Sequence, residues 1–425
     1  MIEIRSYQVL SLTAGPALSF SGGRLSVPLR EVQEILAQDD RLEEVRADIV
    51  RPGESTRIVH VLDIFEARAR EGGGTYPGFD SAPWGAGQGI VKRFTDMAVL
   101  IAAEMPKDKG GLRVTREAVM DMGGSGSAYS PFSALFHLVL TGRPRENVSN
   151  AEFDDALRRG AIRVSEYLAR AISDAPPDRV ERIPEVGLDT GGALPRIAYI
   201  YQTQSQGPLL QTFFYGETMD DFMPTVVQPA ELFGGALVSG NHSHITVPTY
   251  VHLNNPVLKA LCRRDGKELA LCPVVLTEGH AKTSLQKERR ARHVVNLLRF
   301  MRADGVVLTQ EGGGMSMSDQ FMMCRLCEEN GIKTTVITFE MCGEDGRDFP
   351  LLDAVPAADA IVSVGNRDEL VDLPAVEKVL GGDYVRDGRK ITDMAEAGAA
   401  QHFRLSTVYG AVNQAGANRI RSYLY

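Results

Sequence analysis

Apolar runs alternate with amphipathic helical stretches after Pro195, and this alternation is the strongest constraint on the fold. The helical stretches are clearest at Lys282–Arg302 and Ser318–Asn330. Strands that alternate with helices form a mainly parallel sheet with helices on both faces. We therefore predict an α/β protein whose residues 196–425 form a Rossmann-like sheet domain. The predicted strands are Ile197–Tyr201, Ala236–Val238, Leu271–Leu276, Val306–Leu308, Thr334–Thr338 and Ala360–Val364.

The first part of the chain has a different pattern. Glu44–Val50 and Thr56–Leu62 alternate between apolar and polar residues, as half-buried strands do, and predict a β-rich N-terminal domain over residues 1–145. Asn150 is a suitable N-cap for a helix that ends near Ser173. Prolines and glycines follow this helix, so residues 146–195 are predicted to be a helix and a linker between the two domains.

Composition narrows the function classes. The 425 residues include 46 Lys plus Arg and 55 Asp plus Glu, a net charge of −9, which offers no general attraction to nucleic acid or to an anionic membrane. Five cysteines make no disulfide framework and suit a reducing compartment. The N-terminus has no basic segment followed by an apolar one, and no apolar run approaches about 18 residues. We expect a soluble, cytoplasmic protein.

Polar and ligand-type residues follow most of the predicted strands. In an open parallel sheet, ligands bind beyond the carboxyl ends of the strands, so these residues are expected to share one edge. Candidate catalytic groups among them are Asn241, Glu311, Glu340 and Cys342. Candidate substrate-binding residues are Gln204, Ser205, Gly312 and Gly313.

Three histidines in the segment from Ser239 to His252 suggest a metal site. His242 and His244 would point to the same side of an extended segment, and two imidazoles at that spacing can chelate one zinc-like divalent ion. The alternative interpretation is that they are ordinary polar loop residues. Further ligands could come from a set of imidazoles and carboxylates near other strand ends: His252, His280, Glu278, Glu311 or Glu340.

Two other features could carry chemistry. Gly312, Gly313 and Gly314 lie between a predicted strand and a predicted helix, where backbone N–H groups can hold a carboxylate, although the nucleotide-binding spacings are absent. Cys342 would be a reactive thiol if it were exposed and had a depressed pKa. Cys324 and Cys327 lie on one face of a predicted helix and are interpreted as buried core thiols.

A set of short motifs identifies a family. The chain resembles the proprotein of glycine/sarcosine/betaine reductase component B (alpha and beta subunits) and, more distantly, the D-proline reductase proprotein. The resemblance spans nearly the whole chain. The motifs are Arg51–Arg57, Gly72–Gly74, Tyr76–Phe79, Asp121–Gly124, Tyr129–Phe132, Gln204–Gly207, Ser239–Asn241, His252–Pro256, Glu311–Gly312 and Gly331–Thr334.

The resemblance implies reductive cleavage of a carbon–nitrogen bond in a small amino-acid-like substrate. It also implies a redox-active partner subunit of the component B gamma type and an oligomeric assembly. In the family, a cysteine directly after Ser-Gly-Asn becomes a pyruvoyl group when the chain is cut. Here that position is His242. An imidazole is joined to Cβ through carbon and cannot leave by elimination, so a pyruvoyl group cannot form there.

The loss of that group leaves several interpretations open. We expect an uncut chain in which a divalent metal, zinc in the first instance, replaces the ketone as electrophile and supports cleavage or formation of a C–N or C–S bond. One alternative is pyruvoyl formation at Ser243, which has an oxygen that can be eliminated. Another is a non-catalytic scaffold subunit of a reductase complex.

Overall fold

A computed structural model describes residues 1–80, 85–105, 118–172, 175–187, 192–205, 210–241, 246–353, 355–386, 394–418 and 423–424. It shows a mixed α/β protein with several sheets, in which strands are more frequent than helices. Within these residues no helix is long and apolar enough to cross a membrane.

The largest sheet has seven strands, of which the central five are parallel. An antiparallel strand closes each edge. In spatial order the strands are Thr225–Val227, Ala270–Gly279, Arg196–Gln204, Gly305–Gln310, Lys333–Glu340, Ile361–Asn366 and Tyr423–Leu424. Five of the six predicted strand segments therefore lie in this sheet.

The order of the parallel strands reverses once. The chain runs from Arg196–Gln204 to Ala270–Gly279 on one side, and then crosses back to Gly305–Gln310 on the other side. Later strands continue outward in the second direction. The connections that follow Arg196–Gln204 and Gly305–Gln310 therefore lead to opposite sides of the sheet. In open α/β sheets, ligands bind at such a reversal of strand order, beyond the carboxyl ends of the strands.

The predicted strand Ala236–Val238 is present as Leu237–Asn241, but it does not join the parallel sheet, so its predicted placement is wrong. Leu237–Asn241 instead pairs antiparallel with Leu210–Phe214, with Thr212 opposite Ser239. Glu217–Thr218 completes this small sheet. An apolar run predicts a strand, but it carries no information about the partner with which that strand pairs.

Helices cover both faces of the parallel sheet. Ser284–Phe300 and Met315–Glu329 pack on one face against Ile200, Leu308 and Val336. Pro256–Arg264 packs on the other face together with strands of the N-terminal part, in a second apolar cluster. The other helices are Leu29–Leu36, Pro77–Asp80, Asn150–Ala169, Pro229–Phe233 and Thr249–Leu253, with 3₁₀ turns at Ser125–Ala128, Pro131–Ala134 and Leu405–Thr407.

The N-terminal part is β-rich, as predicted. Two of its sheets have four strands each: in spatial order, Arg179–Ile183, Ile2–Gln8, Gly89–Thr95 and Arg68–Arg70 in one, and Leu42–Val50, Phe136–Pro144, Met97–Ala102 and Val61–Phe65 in the other. A three-stranded sheet contains Ser11–Ala14, Arg24–Val27 and Ser19–Ser21. Another three-stranded sheet contains Val119–Asp121, Thr56–Val59 and Lys378–Leu380. The last strand comes from the C-terminal part, so the two parts share a sheet. Small two-stranded sheets pair Leu370–Leu373 with Gln401–Arg404 and Tyr384–Arg386 with Met394–Glu396.

The helix that begins at Asn150 is capped one residue earlier than predicted. Ser149 accepts a hydrogen bond from the N–H of Glu152, and the Glu152 carboxylate accepts one from the Ser149 N–H. This reciprocal pair fixes Ser149 as the N-cap. The helix ends at Ala169 and packs on N-terminal strands. The division of the chain at residues 145 and 195 stays a prediction.

Candidate active site

A row of polar side chains crosses the five parallel strands near their carboxyl ends. Gln202 is in register with Thr277 on one side and with Gln310 on the other. The Gln310 amide donates to Thr338 Oγ1 at 3.0 Å, and Thr338 is in register with Ser363. All five side chains are at most 1% exposed. The strands thus change from apolar to polar at one level, under the start of helix Met315–Glu329.

Two glycines make room for this polar layer. A Cβ on Gly279 would lie 2.4 Å from Gln202 Nε2, and a Cβ on Gly312 would lie 2.2 Å from Gln204 Oε1. Gly279 is level with Gln204, at the end of the strand. The amide of Gln202 therefore reaches the carboxyl edge of the sheet, and Gln204 lies against the turn that follows the neighbouring strand.

That turn leads into a helix without a side-chain cap. Gly312 and Gly314 adopt positive φ angles of 83° and 69°, which glycine alone adopts without strain. Gly314 is the N-cap of the 15-residue helix and makes no side-chain cap hydrogen bond. The first N–H groups of a helix have no partner within it, and the helix dipole makes this end positive. The predicted place for a carboxylate is thus a helix N-terminus at the strand-order reversal.

We call Gln202, Gln310 and Ser316 the glutamine side of the site. Gln202 Nε2 donates to the Ser316 carbonyl at 2.8 Å, which ties the strand to the first turn of the helix. Gln414 supports the turn, because its amide donates to the Gly312 carbonyl. The sequence analysis named none of these glutamines, although Gln202 and Gln310 closely follow the predicted strands Ile197–Tyr201 and Val306–Leu308. The signal that could have found these two is a glutamine close behind each of two apolar runs.

The opposite face of the same strand ends carries Glu311, which is fully buried. Its Oε2 accepts from the Gln204 N–H at 3.0 Å and from Thr212 Oγ1 at 3.3 Å. Its Oε1 accepts from the Val247 N–H at 2.9 Å. Both oxygens therefore hold neighbouring segments in place. Ser205 contributes to the same region, because its Oγ accepts from the Thr212 N–H at 3.2 Å.

The buried ion pair of Arg158 and Asp63 holds the backbone on both sides of residues 242–245. Arg158 donates to the Ser239 carbonyl and, at 2.7 Å, to Asp63. Asp63 in turn accepts from the N–H and the hydroxyl of Thr249 at 2.9 and 2.6 Å. Burial raises the pKa of Asp63 to about 6 despite the adjacent Arg158. We call Glu311, Asp63 and Arg158 the glutamate side of the site.

The predicted metal ligands are distributed over different surroundings. His252 Nδ1 lies 2.7 Å from Tyr201 Oη, and burial lowers the pKa of His252 to about 3. The Glu278 carboxyl group lies against the Arg290 guanidinium, within ion-pair distance. Burial lowers the pKa of His280, which has a positive φ of 71°. Among the residues that the structure describes, no three His, Cys, Asp or Glu side chains form a group able to hold a metal ion.

Three predicted site residues fall outside this description. His242 and His244 are not among the described residues, and of Asn241 only the backbone is described, as the end of strand Leu237–Asn241. The zinc site at this segment therefore stays a prediction.

Glu340 and Cys342 lie together at the end of the next strand. The Cys342 thiol donates to Glu340 Oε2 at 3.3 Å. Burial, together with this carboxylate, raises the pKa of Cys342 to about 11. The condition set for a reactive thiol, a depressed pKa, is not met. Cys324 and Cys327 are fully buried in helix Met315–Glu329, which confirms their interpretation as core thiols.

Comparison with known proteins identifies the family. The family model of the glycine/sarcosine/betaine reductase component B subunits matches residues 1–421. The chain is 34% identical to the sarcosine reductase complex component B subunit alpha of Peptoclostridium acidaminophilum, over 90% of each chain. It is 30% identical to the glycine reductase complex component B subunits alpha and beta of Acetoanaerobium sticklandii, over 100% of each chain. No solved structure matches the chain significantly. The chain therefore belongs to the family of the glycine/sarcosine/betaine reductase component B subunits.

Proposed function

We propose that this chain is the substrate-binding and activating subunit of a reductase complex that acts on a small amino-acid-like molecule. The five parallel strands would then be a Rossmann-like, doubly wound sheet whose ligand lies at the reversal of strand order, between Arg196–Gln204 and Gly305–Gln310. The observation that carries the proposal is the position of the uncapped helix N-terminus at that reversal. The relatives are components of glycine, sarcosine and betaine reductase complexes, which supports a role with partner subunits.

The substrate carboxylate would bind at the glycine turn. Backbone N–H groups at a helix N-terminus favour an anion, and the turn Gly312–Gly314 has no side chain to block its approach. Gln204 lies against Gly312, and Glu311 holds the backbone of Gln204. The predicted substrate-binding residues would thus act together, with Glu311 as the group that positions them.

The family's pyruvoyl group does not fit this chain at the usual position, because His242 has no group that can be eliminated. We propose an uncut chain in which His242 and His244 contribute to a divalent metal site. Intact mass spectrometry and metal analysis of the purified protein test this. A chain of 46.3 kDa with bound metal that is lost in a His242→Ala, His244→Ala variant supports it. A chain split before Ser243, or a metal content that the two substitutions leave unchanged, contradicts it.

Calorimetric titration of the full chain with glycine tests the binding position. Gly312→Ala is expected to weaken binding about 10-fold or more, since its Cβ would displace Gln204 or the turn. Gly331→Ala is the matched control, because Gly331 also has a positive φ, of 76°, and follows the other end of the same helix. Equal loss of affinity in both variants, or in neither, would rule out the glycine turn as the carboxylate site.

A further inference from the structure

The glutamine side contains buried oxygens that lack a hydrogen-bond donor. Gln202 Oε1 and Gln310 Oε1 have no partner among the residues that the structure describes, and neither has Ser316 Oγ. All three side chains are fully buried. Buried polar atoms in folded proteins are nearly always paired, so a group of such atoms indicates that their donors come from beyond the described residues, and a bound ligand is one such source.

The orientation of the Gln202 amide follows from its surroundings. Its Nε2 faces the carbonyl oxygen of Ser316, which can only accept a hydrogen bond. A flipped amide would place two acceptors against each other, so Oε1 must be the atom without a partner. Gln310 Nε2 is bonded to Thr338 Oγ1, and that hydroxyl also faces the Gln414 Oε1 acceptor at 3.4 Å. Thr338 therefore directs its proton to Gln414 and accepts from Gln310.

The residues that carry these oxygens are neighbours near the carboxyl ends of the strands. Gln202 and Gln310 are register partners on adjacent strands and point to the same face of the sheet, because side chains alternate along a strand. Ser316 is in the first turn of the helix, which Gln202 contacts. Acceptors thus stand beside the uncapped helix N-terminus, which offers donors. Such a pair of surfaces is complementary to a zwitterion with an ammonium group and a carboxylate.

We propose that the glutamine side binds the ammonium group of the substrate through its N–H bonds, and that the chain therefore selects a primary or secondary ammonium over a quaternary one. This inference rests on the proposed function and specifies its substrate class. A protonated amine donates two or three hydrogen bonds, whereas a trimethylammonium group donates none. A site that is built to bond an N–H group discriminates strongly against an analogue without it, because its own buried groups are left unpaired.

Calorimetric titration of the full chain with glycine, sarcosine and betaine tests the inference. Glycine and sarcosine are expected to bind at least about 100-fold more tightly than betaine. Betaine binding as tightly as glycine would overturn the inference and leave the proposed function standing. If none of the three bound, the proposed function and the inference would both fail.

A substitution separates this role from a general effect on folding. Gln310→Met keeps the length of the side chain and removes the acceptor, and it is expected to weaken glycine binding about 10-fold or more while leaving betaine binding unchanged. Gln228→Met is the matched control, because both amide atoms of Gln228 are bonded to Val186, outside the site. Equal loss for glycine and betaine in Gln310→Met, or no loss for either, would overturn the inference.

Discussion

The two sides of the site differ in how completely their buried side-chain oxygens are bonded. On the glutamate side, Glu311 accepts hydrogen bonds on both oxygens, and so does Asp63, whereas the Nη2 of Arg158 has no partner within the described residues. On the glutamine side, equally buried oxygens of Gln202 and Gln310 have no donor within the described residues. Saturated groups stabilise the folded chain, whereas unsaturated groups are available to a ligand. Burial alone does not separate these roles; the hydrogen-bond partners do.

The largest expected effect is on the glutamate side, at Arg158. Arg158→Met removes the cation that Asp63 and Asp154 share, while both carboxylates stay buried. Removing one partner of a buried ion pair costs about 3–5 kcal/mol in the free energy of unfolding, measured by urea denaturation. Arg159→Met is the control, because Arg159 pairs with Asp155 on the exposed face of the same helix and should cost less than about 1 kcal/mol. Similar losses in both variants would contradict the assignment of Arg158.

Glu311→Gln should be the next most damaging change. The amide would present N–H donors to N–H and O–H groups that now face carboxylate oxygens, so one or more buried donors would lose their partner. We expect a loss of about 3 kcal/mol in the free energy of unfolding. An unchanged urea midpoint would show that these bonds do not hold the site together.

Glu278 belongs to neither side of the site, and it makes the free energy of unfolding depend on pH. Burial raises the pKa of Glu278 to about 8 from an ordinary value of 4.5, against the opposing effect of Arg290. The folded state thus binds the proton more tightly than the unfolded state, and the associated stability is full below pH 4.5 and is lost as the pH rises towards 8. The wild type should lose on the order of 2 kcal/mol between pH 5 and pH 8 relative to Glu278→Gln. Parallel pH profiles of the two proteins would contradict this.

The smallest expected change in stability is at Gln310, one residue before Glu311. Gln310→Met removes an acceptor without a donor together with one bond to Thr338. The loss of the bond to Thr338, which keeps its bond to Gln414, is offset by removal of a buried oxygen without a donor, so the unfolding free energy should change by less than about 1 kcal/mol. A loss as large as that of Glu311→Gln would remove the distinction between the two sides.

Much of the sheet could be predicted from the sequence, because the periodicity of apolar residues reports burial directly. Helices Ser284–Phe300 and Met315–Glu329 and five strands of the parallel sheet follow from this signal. The partner of a strand does not follow from it, and Leu237–Asn241 was placed in the wrong sheet for this reason. The cap of helix Asn150–Ala169 was misplaced by one residue, since Ser149 and Asn150 are both good capping residues.

Only some residues of the candidate site could be predicted from the sequence. Gln204, Glu311 and Gly312 were found because they follow strand ends, and the structure brings them into contact. Gln202 and Gln310 were missed although they closely follow the predicted strands, because a single glutamine at such a position does not by itself indicate a site. Their importance depends on the register between two strands, which a sequence does not reveal.

A crystal structure of the full chain with saturating glycine tests the central claim most directly. The account predicts the glycine nitrogen within about 3 Å of Gln202 Oε1 and Gln310 Oε1, with the carboxylate on the N–H groups of the turn Gly312–Gly314. Glycine bound elsewhere, or ordered water alone on those two oxygens while glycine is present, would contradict it.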